Sequence, residues 1–108
     1  MVHYHIVLSE KEKLILSSYK ILVDGLAEYL GNGYEIILHS LENLDKSVIK
    51  IINGHYSGRT EGSPITNFAL SMLETLKKNN DKKSISYFNR DKNGIMMKST
   101  TIPITGER

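Results

Sequence analysis

The chain has no cysteine and no tryptophan, only two prolines, and almost no imbalance of charge. Without cysteine there is no disulfide framework, no zinc ribbon and no thiol chemistry. Fourteen basic residues against twelve acidic ones leave a formal charge of +2, well short of the footprint of a nucleic-acid binder. The basic residues are also scattered. Their densest cluster, Lys77-Lys78 to Lys82-Lys83, brackets Asn79-Asn80-Asp81 and reads as a helix end and loop. No apolar run approaches the roughly 20 residues of a membrane span, and the N-terminus lacks the basic and apolar regions of a signal peptide. The expectation is a cytoplasmic domain with no membrane contact.

What is present is ordinary globular material. At 108 residues, 40% of them hydrophobic and 24% charged, the chain supports one core and not two. Residues 1–9 read as a leader, in which His3 and His5 alternate with Tyr4 and Ile6. Ser9-Glu10-Lys11-Glu12 has the capping-box form, with a hydroxyl for one end amide and a carboxylate reaching back to another. Ile15, Tyr19, Leu22, Leu26 and Tyr29 follow at three- and four-residue spacing, and Gly31 supplies a stop. A helix over about residues 10–30 is expected.

Residues 34–41 and 47–53 are rich in β-branched side chains and joined by the short polar segment Glu42 to Lys46, which predicts an antiparallel hairpin. Ile36 and Leu38 then share one face, and Glu35, Ile37 and His39 the other. Ser63-Pro64 reads as an N-cap with proline at the first helical position, predicting a second helix over about 64–78. Ser84 to Arg90 and Ile95 to Ile104 form a further hairpin about Asp91-Lys92-Asn93-Gly94. Helices interleaved with antiparallel strands make an α+β domain spanning residues 10–108, with helices packed on one side of the sheet.

The segment Asn53-Gly54-His55-Tyr56-Ser57-Gly58-Arg59 concentrates donors and flexible backbone in one loop. With residues 34–41 and 47–52 before it, and Gly62, Ser63-Pro64 and Thr66 after it, it resembles the YheO-like PAS domain. Gly94 with Met97-Lys98-Ser99-Thr100-Thr101, and the leading helix with Tyr19, Leu22, Asp24-Gly25-Leu26 and Leu30-Gly31, fit the same pattern. The resemblance implies a PAS-like antiparallel sheet and a bacterial transcriptional regulator, in which the PAS domain precedes a C-terminal helix-turn-helix. No helix-turn-helix is present in this sequence, so DNA would be reached only through a domain outside it. The sequence stops at Thr105-Gly106-Glu107-Arg108, about where the last sheet strand of the family would be entered. An edge left unpaired there favours a homodimer.

Five residues are candidates for recognising a small-molecule ligand: His39, Asn53, His55, Ser57 and Arg59. In one reading Ser57, Gly58 and Arg59 cradle an anion, with a guanidinium able to clamp a carboxylate. In the other, Asn53-Gly54 turns the chain out of the strand and Arg59 pairs with Glu35 or Glu61. His39 either faces a ligand or responds to pH, or it is a half-buried histidine bonded to Asn53 or His55. A metal site from His39, His55 and Glu35 or Glu42 lacks compact ligand spacing. Ser57 with His55 or His39 forms no recognisable nucleophile arrangement, so no enzyme is expected. No cofactor is identified; beyond His39 nothing stands out as a haem or flavin ligand. Met72, Met96 and Met97 read as adaptable core filler.

Overall fold

The computed structural model describes residues 6–79 and 82–105, so the first five residues of the expected leader, and the chain's last three, lie outside the described residues. The chain is α+β, and its contacts divide it after Ile65 into two units.

In the first unit, helix α1 spans Glu10–Leu30. Its start is the expected reciprocal cap: the Glu12 amide donates to Ser9 Oγ at 3.1 Å and the Ser9 amide donates to Glu12 Oε1 at 3.0 Å. Gly31, at a φ of 85°, ends it. The hairpin β1 (Ile36–His39) and β2 (Val48–Ile52) follows, joined by a 3₁₀ turn at Leu44–Lys46. Its register pairs Ile36 with Ile52, Ile37 with Ile51, Leu38 with Lys50 and His39 with Val48, with an irregularity at the last step. Helix α1 packs on both strands, and Lys50 Nζ meets Asp24 Oδ1 at 3.0 Å across that contact.

The packed row of α1 differs from the expected one. Ile15, Tyr19, Val23 and Ala27, four residues apart, are buried or half-buried, whereas Leu22, Leu26 and Tyr29 are exposed together with Leu14 and Ile21. Apolar residues run around two sides of α1, and one two-stranded hairpin covers only one of them.

The far edge of β2 is closed by a returning loop. The Val48 amide donates to the Ser63 carbonyl at 3.0 Å and the Gly62 amide to the Val48 carbonyl at 2.8 Å. Val48 is 2% exposed and Ser47 fully buried beside it.

The second unit contains α2 (Asn67–Lys78) and the hairpin β3 (Ile85–Arg90) with β4 (Met96–Thr101). Helix α2 starts three residues later than Ser63-Pro64 suggested. The Ala69 amide donates to Thr66 Oγ1 at 3.1 Å, while the Ser63 hydroxyl receives the Thr60 amide at 3.0 Å. Ser63 is therefore held by the first unit's loop, and Thr66 is the cap. Leu70 and Leu76 are buried, and Phe68 meets the Tyr87 ring edge-to-face at 5.0 Å. The expected turn is present: the Gly94 amide bonds the Asp91 carbonyl at 3.0 Å with Gly94 at a φ of 80°. The hairpins form two separate two-stranded sheets, and each carries its own helix.

Candidate functional site

The chain leaves β2 by a sharp reversal at Asn53, which sits in the left-handed region at φ 58°, ψ 38°. Its own side chain stabilises that conformation, Nδ2 donating to the Tyr34 carbonyl at 2.7 Å and over 3.5 Å to that of Gly31. A 3₁₀ turn over Gly54–Tyr56 follows, anchored by Tyr56 Oη donating to the Asn32 carbonyl at 2.6 Å. Both glycines are present for reasons beyond turning out of the strand. Gly58 takes a φ of 79°. Gly54 does not, but a Cβ on it would stand 2.4 Å from the Arg59 carbonyl oxygen and 2.9 Å from Ile51 Cδ1. Gly54 lets the loop backbone close onto the sheet.

That closure carries Ser57 and Arg59 over the face of the hairpin bearing Glu35. Ser57 Oγ donates to Glu35 Oε2 at 2.5 Å and accepts from Arg59 Nε at 3.2 Å and from the Arg59 amide at 3.3 Å. Serine thus relays between the two charges, and the direct Arg59 pairing with Glu35 or Glu61 is corrected: among the described residues Arg59 makes no ion pair. Its terminal nitrogens Nη1 and Nη2 have no acceptor there, although the side chain is half-buried.

His39 lies at the other end of the hairpin from Asn53, because the register sets it opposite Val48 while Asn53 follows Ile52. The expected bond to Asn53 or His55 is therefore replaced by one to Ser47, whose Oγ lies 2.9 Å from His39 Nδ1. Burial pulls the imidazole down from its ordinary 6.5 to about 4, and the Arg59 charge acts in the same direction. His39 is neutral at pH 7 and lies within the field of Arg59. His55 is exposed, its ring tilted against Tyr56 at 4.3 Å between centroids.

An open, shallow groove runs beside this cluster, lined by Ile51, Gly54, His55, Gly58, Arg59 and Glu61. Of the five candidates, Ser57 and Arg59 are joined directly, His39 is coupled to Arg59 through its charge, His55 borders the groove, and Asn53 makes the reversal. Ser47 was missed as His39's partner; its place at the mouth of the hairpin, with Ser40, was the available signal. Glu35 and Glu61 were named only as partners of Arg59. Among the described residues no three His, Asp or Glu side chains converge as a metal site would require, and no helix is long and apolar enough to cross a membrane.

A family model described as YheO-like PAS domain matches residues 9–108. "Uncharacterized protein YheO" of Escherichia coli (strain K12) is 50% identical over 90 residues, covering 83% of this chain and 38% of that protein. The same figures hold for its namesake in Shigella flexneri. An "Uncharacterized protein" of Haemophilus influenzae is 44% identical over 96 residues, 89% of this chain and 42% of its own length. The chain thus spans about two-fifths of the length of the curated relatives it matches. No solved structure matches.

Proposed function

The chain belongs to the YheO-like PAS domain family, and from that premise we propose that it is the sensing domain of a transcriptional regulator, taking a small ligand in the groove beside Arg59. One observation carries this reading. The Arg59 guanidinium is held by Ser57, itself fixed by Glu35, yet its two terminal nitrogens have no acceptor among the described residues. A charged fork positioned before its partner arrives loses little freedom on binding, which is what a recognition site requires. The reading is one of binding rather than turnover, since the Ser57 proton is directed at a carboxylate and not at an imidazole.

The regulatory output would come from assembly. The outer edge of β1 is unpaired among the described residues, which supports pairing with a second copy. Ligand would then bias the arrangement of a dimer, and with it the spacing of DNA-reading helices supplied outside this chain. The test is a thermal-shift screen of metabolites against the wild-type chain and Arg59→Gln, with sedimentation velocity on every hit. The expected result is a ligand whose stabilising shift shrinks in Arg59→Gln and which changes the oligomeric state. A dimer that forms with no ligand and ignores every metabolite would instead make this a purely structural assembly module.

A further inference from the structure

The groove beside Arg59 holds two opposite charges that do not meet. Arg59 and Glu61 are two residues apart on the same strap of chain and both line the groove. Arg59 nevertheless directs its hydrogen bonds to Ser57, and the Glu61 carboxylate has no partner among the described residues. Here Ser57, fixed by Glu35, holds the guanidinium by its Nε, so a donor fork and a carboxylate that make no ion pair with each other both belong to the lining of one groove. Ile51 gives the groove an apolar wall, and Gly54 and Gly58 keep side chains from filling it.

This arrangement discriminates between ligand charge types. A simple carboxylate would satisfy Arg59 but face Glu61, with Glu35 close behind Ser57. A simple amine would satisfy Glu61 but face Arg59. Only a molecule carrying both charges a few bonds apart leaves neither side chain opposed. We propose that the ligand is an amino-acid-type zwitterion, its carboxylate on Arg59 Nη1 and Nη2, its ammonium on Glu61 and its side chain against Ile51. This rests on the reading of the groove as the sensing site.

The experiment is an amide-resolved NMR titration of the isotope-labelled chain with each standard L-amino acid. Any that binds is then compared with the same molecule lacking the ammonium and with the same molecule lacking the carboxylate. At least one amino acid should move the amide signals of Gly58, Thr60 and Glu61, and each truncated analogue should bind about fivefold more weakly, the share of one exposed ion pair. In Glu61→Gln the amino acid and its deaminated analogue should bind equally; in Arg59→Gln the amino acid should bind about fivefold more weakly, level with its decarboxylated analogue, while the dispersion of the spectrum shows the fold intact. The inference is overturned if no amino acid moves those amides, or if the deaminated analogue binds wild type as tightly as its parent. A non-zwitterionic metabolite that binds through Arg59 would sink this inference and leave the sensing reading standing. Amino-acid binding as tight in Arg59→Gln as in wild type would sink both.

Discussion

An alanine at position 54 would place its Cβ 2.4 Å from the Arg59 carbonyl oxygen, where ordinary contact begins near 3.4 Å, and 2.9 Å from Ile51 Cδ1. The Ile51 methyl can rotate away. The carbonyl cannot, because it belongs to the backbone of the strap that returns to β2 at Gly62 and Ser63. The loop must therefore retreat by about 1 Å, an overpacking that costs about 1–3 kcal/mol. Against this, alanine restricts the unfolded chain, which contributes about 0.4–1 kcal/mol of stability because Gly54 lies outside the positive-φ region. The net expectation is a loss of about 1–2 kcal/mol, or a melting temperature lower by roughly 5–15 °C in a chain of this size. Scanning calorimetry of Gly54→Ala beside Gly33→Ala provides the measurement. A Cβ on Gly33 meets nothing within 4 Å, and its φ is not positive, so that variant should melt a few degrees above wild type. If Gly54→Ala melts at or above the wild-type temperature, the loop does not depend on that close approach and the account of Gly54 fails.

Gly25→Ala, in the interior of α1 with open space at its Cβ, should stabilise the chain by about 1 kcal/mol, read from the denaturant midpoint; no gain would mean α1 needs a glycine there. Asn53→Gly should cost about 1 kcal/mol for the lost Nδ2 bonds, and Asn53→Ala about 1 kcal/mol more for its left-handed backbone; equal costs would refute that division. Since His39 titrates at about 4 in the folded chain and near 6.5 unfolded, the unfolded state takes up the proton first as pH falls. Stability from this group is complete above about pH 6.5 and is lost between there and pH 4, by an amount on the order of 1–2 kcal/mol after allowing for partial exposure. An imidazole NMR titration with a midpoint near 6.5 would overturn this. Thr66→Ala should lower stability by about 1 kcal/mol with reduced amide protection at the start of α2, an effect Ser63→Ala should not reproduce.

Local chemistry was well legible in the sequence. Ser9 with Glu12, Gly31 and Asp91 to Gly94 each act over three or four residues, and each does what its pattern requires. The hairpin faces were equally readable, since alternation sets Leu38 with Ile36 and His39 away from them; the register then puts Lys50 opposite Leu38. What could not be read was competition for the same group at long range. Ser63 is a good cap in isolation, but the Thr60 amide takes its hydroxyl and Val48 its carbonyl, so helix α2 begins at the next hydroxyl residue. In the candidate site, loop composition named Ser57 and Arg59 as candidates. It could not show that serine would stand between arginine and glutamate, because that depends on the loop folding back far enough to meet Glu35. The Ser47 contact was hidden for a similar reason: it follows from the hairpin's irregular last step.

The segment from Asn53 to Ser63 starts at the C-terminal end of β2 and returns to pair with Val48 at its N-terminal end. Its two ends both meet that strand, and between them Tyr56 and Ser57 tie it to Asn32 and Glu35. Swinging it away means breaking two backbone bonds at Val48 together with the Tyr56 and Ser57 contacts. On the proposed reading of the groove as the sensing site, β2 rather than a moving flap would be the element that reports its occupancy. The amides of Val48 and Gly62 are its natural clocks: their hydrogen exchange should slow together when the strap is loaded, and quicken together when it is cut.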